Sequence, residues 1–166
     1  MSRTAAGPFQ CILCPVDFSS NSRGALRYAA ALADLSGAQL FVLYVDDPLL
    51  ATVAASRPDA KSILTSNQRA LRRFIEAAVP AAAPRSRVTM LSVAGSPARE
   101  IVRTAEAHSC DLIVMGHRGA GRTSRLLFGS TTEGVVRTAD VPVLVVPPSK
   151  RGARLPSTRK RLDRAS

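Results

Sequence analysis

DLIVMGHRGAGRTSRLLFGSTTEGVVRTADVPVLVVPP, residues 111–148, reads as a strand, a glycine-bearing loop, a helix and a further strand. Asp111 to Met115 is a short apolar run rich in branched side chains and closed by Gly116. Such a run is expected of a strand buried on both faces of a parallel sheet. The loop that follows spaces its glycines as Gly116-x2-Gly119, nine further residues, then Gly129-Ser130. STTE at 130–133 has the form of a capping box, so Ser130 is expected to begin a helix whose first amides lack intrahelical partners. Such an end attracts anions, because free N–H groups and the positive end of the helix dipole point the same way. Glycine at 116, 119 and 129 is expected to allow positive φ and close approach of backbone to a ligand. Phosphate is the natural guest. A single glycine pair would be weak evidence, but the three-part spacing between a buried strand and a helix start is much less common.

Working outward, the first strand is expected over Phe9 to Pro15, with Val16, Asp17 and Phe18 just beyond its carboxyl end. Pro15 suits a strand end because it cannot donate to the ladder. Ser19 or Ser20 then caps a helix to Ser36, in which Ala25, Leu26, Ala29, Leu32 and Ala33 fall at helical spacing, and Gly37 stops it. Gln39 to Val45 gives the second strand, ended by Asp46-Asp47-Pro48. Residues 48–59 lack a clear period and form a longer connection. A helix from Asp59 to Val79 presents Leu64, Leu71, Phe74, Ile75 and Ala78 inward and Lys61, Arg69, Arg72 and Arg73 outward. Arg87 to Ala94 is the third strand. Gly95-Ser96-Pro97 then supplies a turn, a cap and a proline at the first helical position, ahead of a helix marked by Ala98, Ile101, Val102 and Ala105. The last helix, 130–138, leads to a strand over Val141 to Val146. Strands alternate with helices throughout. That predicts an α/β fold with an open five-stranded parallel sheet, order 3-2-1-4-5, and helices on both faces, of the Rossmann-like or flavodoxin-like kind.

With 166 residues the chain suits one domain, expected over 9–148, between a flexible N-terminus (1–8) and a basic, disordered tail (149–166). The net charge of +11 resembles a nucleic-acid signature until it is located. Residues 148–166 hold seven basic side chains against Asp163 alone, a net of +6, and Arg3 adds one more. The remainder carries only +4, so the excess says little about the folded part. Contact with nucleic acid or another anionic partner is therefore expected only through the tail, whose plainer role is a solubilising extension. No apolar run approaches the ~20 residues of a membrane-spanning helix, and MSRTAAGPFQ lacks an apolar signal region, so a cytoplasmic protein without membrane contact is expected. Cys11 and Cys14 form a C-x-x-C within a strand, where positions i and i+3 face opposite ways. That placement suits neither a redox pair nor a metal site, and both are expected to be small buried apolar residues.

In such a sheet ligands bind beyond the carboxyl ends of the strands where the strand order reverses. For the order 3-2-1-4-5 that place lies between strands one and four, which would bring Asp17 opposite Gly116. Here the sequence resembles the universal stress protein family, whose nucleotide-binding members carry G-x2-G-x9-G-[S/T], matched by Gly116, Gly119, Gly129 and Ser130. The resemblance runs from Gln10 to Pro147 and includes PVDFS at 15–19, YVD at 44–46 and GSP at 95–97. It implies an adenine nucleotide, ATP, with the nucleoside held by Asp17 and the Val45 backbone, and with Pro15, Val16, Met115 and Gly129 also among the nucleotide-binding residues. It further implies a triphosphate surrounded by residues 116–122, among them Gly116, His117, Arg118, Gly119 and Arg122, and by Ser130, Thr131 and Thr132. Arg118, Arg122 and Arg125 are suited to phosphate oxygens, although loop arginines are often simply solvated. Val16 offers no hydroxyl beside the phosphates, so any Mg2+ would rely on nucleotide oxygens, water and Asp17.

These residues point to an ATP-binding regulatory or stress-response module. No G-x4-G-K-[S/T] occurs, no lysine lies in the loop, and no carboxylate pair is evident for activating water, so no catalytic residue and no protein metal site is assigned. Slow ATP hydrolysis or phosphotransfer from the same pocket is the enzymatic alternative. A protein with an empty site, acting through its dimer surface, is another. The last strand should be an edge, yet Val143, Leu144, Val145 and Val146 are apolar and uncharged, a liability unless covered. Pairing with the same strand of a second subunit predicts a homodimer.

Overall fold

The computed structural model describes residues 7–46, 60–79, 88–118 and 128–148, with residues 60–65 described through their backbone alone. In chain order the elements are β1 (Cys11–Val16), α1 (Ser20–Ser36), β2 (Gln39–Asp46), α2 (Ala60–Ala78), β3 (Val88–Ala94), α3 (Pro97–Ala107), β4 (Leu112–Gly116), α4 (Ser130–Thr138) and β5 (Val143–Val146). All four strand pairings are parallel and the strand order is β3-β2-β1-β4-β5, as the alternation of elements predicts. The expected strand and helix bounds lie within two residues of those observed. Gly119, Arg122 and Arg125, the connection 47–59, the N-terminus 1–6 and the tail 149–166 lie outside the described residues.

Helix α1 shows how local sequence sets an element. Of the two candidate caps it is Ser19 that serves, its side chain accepting from the Ser22 amide at 3.1 Å. Its other end stops at Gly37, where φ is 70° and a residue with Cβ would be strained, and the Ala38 amide returns to Ala33 O at 2.9 Å. The stripe between them, Ala25, Leu26, Ala29, Ala30 and Ala33, is buried. Its small side chains let the helix lie close to the sheet.

The two faces of the sheet carry separate cores, and β1 shows the alternation directly. Ile12, Cys14 and Val16 face the core made with α1 and α2, including Leu26, Leu71 and Phe74. Cys11 and Leu13 face the core made with α3 and α4, including Ile101, Ala105 and Val135. Cys11 and Cys14 thus point to opposite sides of the sheet, both buried and both free thiols, as strand spacing predicts. Burial pushes the Cys14 thiol well above its ordinary value, which makes it an inert packing group.

Pro15 departs from its expected place at the strand end. It lies inside β1, which runs on to Val16, and it pairs with Leu43 of β2. Peptide groups alternate along a strand, and Gln10 accepts from Gln39 on the β2 side, so odd-numbered residues of β1 direct their backbone toward β4. Pro15 is one of these and has no N–H to give. The β1–β4 register accordingly ends at Leu13↔Ile113, whereas β1–β2 continues to Val16↔Tyr44. The central strands therefore part just where the strand order reverses.

Candidate functional site

The gap between β1 and β4 opens a cavity of about 130 Å³. Pro15, Val16 and Asp17 line it from the end of β1, and Met115, Gly116 and Arg118 from the end of β4. Leu43 and Val45 of β2, with Pro97 and Ile101 of α3, add an apolar floor. Ser22 of α1 and Thr131 and Thr132 of α4 complete the polar side. Two loops about a hundred residues apart in sequence meet here, because the order β2-β1-β4 makes neighbours of the first and fourth strands. The volume lies below the ~300–1,000 Å³ usual for drug-sized ligands, so it suits one ring system or one charged group with the remainder outside.

The Asp17 side of the cavity is a closed hydrogen-bonded ring. The Ser19 hydroxyl donates to Asp17 Oδ1 at 2.6 Å, and the Ser19 amide donates to the same oxygen at 3.1 Å. The Asp17 amide donates to Ser22 Oγ at 3.3 Å, and that hydroxyl donates to Ser19 O at 3.1 Å. Ser22, only 5% exposed, is thereby satisfied and the carboxylate is oriented. Between Asp17 and Ser19 the chain passes through Phe18 at φ 62°. A left-handed backbone costs a bulky L-residue ~1–2 kcal/mol. The Phe18 ring lies 4.7 Å from that of Tyr44 and 5.5 Å from that of Phe74, and Arg23 sits over Phe74 at 5.2 Å. Tyr44 is drawn into the same environment: burial, then the carboxylates of Asp46 and Asp17, raise its phenol above the ordinary value.

The β4 side is built differently. Gly129, not Ser130, is the N-cap residue of α4, and among the described residues no side chain caps this helix. STTE at 130–133 is therefore not a capping box: Ser130 is the first helical residue and is exposed. The bond from the Glu133 amide to Gly129 O at 2.9 Å opens the helical ladder, so the amides of 130–132 stand ahead of it. The Thr132 hydroxyl donates to Gly116 O at 3.0 Å, which ties the first turn of α4 to the end of β4. That proton is spent within the protein.

The described glycines also act otherwise than expected. Gly129 has φ −70°, and among the described residues the glycines with positive φ are Gly37 and Gly95. At Gly116 a Cβ would stand 3.0 Å from the Asn21 carbonyl carbon and 3.1 Å from its oxygen. Glycine at 116 therefore admits the first turn of α1, while Gly119 lies outside the described residues.

Of the expected site residues, Pro15, Val16, Asp17, Val45, Met115, Gly116, Arg118, Thr131 and Thr132 converge on the cavity. His117, Gly129 and Ser130 do not line it. His117 is an anchor instead: its amide donates to Val146 O at 2.9 Å, its carbonyl accepts from the Gly129 amide at 3.1 Å, and its ring lies 5.4 Å from that of Phe128. Arg122 lies outside the described residues. Sequence reasoning missed Ser22, Leu43, Pro97 and Ile101. Leu43 is two residues before Val45 and so shares its strand face, while Pro97 and Ile101 are one helical turn apart. Ser22 stands three residues after the Ser19 cap, at the position from which a side chain reaches back toward the cap. Among the described residues no group of three His, Cys, Asp or Glu could hold a metal ion, and no helix is long and apolar enough to cross a membrane.

A doubly wound parallel sheet with a crevice at its switch point defines a binding-fold class rather than an activity. The family follows from comparison with known proteins. Residues 8–147 match the profile of the universal stress protein family, and the chain belongs to that family. A Thermus aquaticus universal stress protein is 34% identical over 139 residues, 83% of this chain and 98% of its own. One from Methanocaldococcus jannaschii is 33% identical over 153 residues, 90% and 88% of the two chains. Among solved structures, the M. jannaschii protein MJ0577 superposes with a TM-score of 0.68 at 29% identity, covering 86% of this chain and 98% of its own. UspA from Lactobacillus plantarum gives 0.64 at 31% identity, covering 82% and 97%. A universal stress protein solved in complex with cAMP shares the fold, with a TM-score of 0.62 at 23% identity over 85% of this chain and 98% of its own.

Proposed function

We propose that this universal stress protein is a regulatory module that binds an adenine nucleotide, ATP in the first instance, in the cavity between β1 and β4. The observation that carries the reading is the conjunction of an apolar floor, a fixed carboxylate and an uncapped helix start around one crevice. Leu43, Val45, Ile101 and Met115 suit a purine ring. Asp17 is suited to accept from a ribose hydroxyl, and the Val45 backbone to pair with the base edge. Arg118 and the α4 start suit phosphate oxygens, because a guanidinium and the amides of a helix N-terminus are charge-matched donors. Mg2+ would enter with the nucleotide, held by phosphate oxygens, water and Asp17.

The loop contains no lysine and no Walker-type P-loop, which favours binding over turnover. Nucleotide occupancy then acts by altering a partner surface. We place that surface at β5: Leu144 is 39% exposed on an apolar edge strand, which favours pairing with β5 of a second copy. Mass spectrometry of ligand released from protein purified without added nucleotide, with titration calorimetry for ATP, tests the site. Released adenine nucleotide, or saturable ATP binding, is expected. Absence of both would overturn the reading. Rapid metal-dependent ADP formation in a single turnover would replace it with the enzymatic alternative. Sedimentation at micromolar concentration is expected to give a dimer that Leu144→Lys dissociates.

A further inference from the structure

We propose that Phe18 is a positioning residue for this cavity, a side chain that governs ligand affinity by holding Asp17 although it does not itself line the site. The inference rests on the nucleotide reading above and extends it to a residue outside the cavity wall. Its starting point is an inconsistency between residue and backbone. Left-handed φ is ordinarily taken by Gly, Asn or Asp, whereas a phenylalanine there is an outlier that its surroundings must impose. At Phe18, φ is 62°. The surroundings are identifiable: the ring is clamped between Tyr44 of β2 and Phe74 of α2, at 4.7 and 5.5 Å between centroids, at the edge of the α1–α2 core.

What the unusual backbone achieves is equally specific. Asp17 and Ser19 flank Phe18, and both the amide and the hydroxyl of Ser19 reach back to Asp17 Oδ1, at 3.1 and 2.6 Å. Rotating Phe18 to an ordinary negative φ would swing the Ser19 amide away from that oxygen, reorient the carboxylate and misplace the α1 cap. The aromatic clamp prevents that rotation, because the ring would have to leave Tyr44 and Phe74. Packing against α2 is thus converted into the orientation of a carboxylate at the mouth of the cavity.

Calorimetry with ATP on wild type, Phe18→Leu, Phe18→Tyr, Asp17→Ala and the Phe18→Leu/Asp17→Ala double variant tests this, with folding checked by circular dichroism. Phe18→Leu is expected to weaken ATP ~10-fold in the wild-type background but less than ~2-fold when Asp17 is absent, since groups acting through one another are not additive. Phe18→Tyr keeps the ring and is expected to stay within ~2-fold of wild type, as a conserved clamp requires. Should Phe18→Leu fail to fold, Phe74→Leu loosens the same clamp from α2 and carries the same expectations. In nucleotide-free protein, the Ser19 amide proton, followed by NMR, is expected to report Asp17 ionisation in wild type and to lose that response in Phe18→Leu. Equal losses in both Asp17 backgrounds, or an unchanged Ser19 response, would overturn the proposal. If wild type binds no ATP, the nucleotide reading falls, and the Ser19 response still decides whether Phe18 holds Asp17.

Discussion

The two turns that flank the cavity solve the same problem in opposite ways. After β1, the start of α1 is capped by its own sequence, with Ser19 on the Ser22 amide and Asp17 tied to Ser19. After β4, the start of α4 has a glycine at the N-cap and, among the described residues, no side-chain cap. A satisfied helix start has little left to offer a ligand beyond the side chain it fixes. An unsatisfied one keeps donors whose solvation is easily exchanged for an anion. Under the nucleotide reading proposed above, the contrast gives orientation to the β1 turn and charge to the β4 turn.

The sharpest test removes the oriented group. Asp17→Ala is expected to weaken ATP ~10- to 150-fold by calorimetry, the equivalent of a charged hydrogen bond worth ~1.5–3 kcal/mol. Affinity within twofold of wild type would show that the β1 turn contributes nothing to binding. Next, Gly116→Ala drives a methyl against the Asn21 backbone, where α1 meets β4. It should cost ~1–3 kcal/mol of stability by urea unfolding, the usual penalty of overpacking. Ser19→Ala should cost ~1 kcal/mol through the lost cap, and because the same hydroxyl holds Asp17 it should also lower ATP affinity. Gly129→Ser gives α4 the cap that α1 has, at a backbone conformation any residue can adopt. Stability should rise by only a few tenths of a kcal/mol, while ATP affinity falls. If both rise together, the amides of α4 are not what the nucleotide needs.

A last effect, absent at neutral pH, appears only in alkali. Burial raises the Cys14 thiol above its ordinary 9.0, so the folded protein holds that proton more tightly than the unfolded chain. The contribution is fully present below pH 9 and is lost as pH rises above it, at ~1.4 kcal/mol per unit while the folded thiol stays protonated. Cys14→Val should flatten that slope in urea melts between pH 8 and 10 and leave stability at pH 7 little changed. An unchanged slope would place the alkaline loss in Cys11, Cys110 or Tyr44, which burial also raises.

Much of this was legible in the chain because it depends on periodicity and on residues with one strong conformational habit. Continuous apolar runs marked the five strands, the alanine stripe marked the buried side of α1, and C-x-x-C within a strand put its two thiols on opposite faces. The site was legible as a set, since Asp17 and Gly116 close adjacent strands in the order that alternation predicts. Individual roles were less so. STTE has the letters of a capping box, yet its serine stands one residue inside the helix, behind a glycine N-cap. Gly116 lines the cavity as expected and also admits the first turn of α1, a second constraint that no local pattern could show. Ser22, Leu43, Pro97 and Ile101 reached the cavity through strand and helix periodicity applied to elements that carry no motif.

By itself, then, the sequence determined the order and kind of the elements, the parallel sheet and the two loops that would meet at its reversal, because hydrophobic period and glycine, serine and proline chemistry act over a few residues. The tertiary structure alone decided where β1 and β4 separate, which residue stands at the N-cap of each helix beside the cavity, and how an aromatic clamp from β2 and α2 imposes a left-handed turn on Phe18. Those outcomes depend on contacts between segments far apart in the chain, whose energies exceed the local preferences they override.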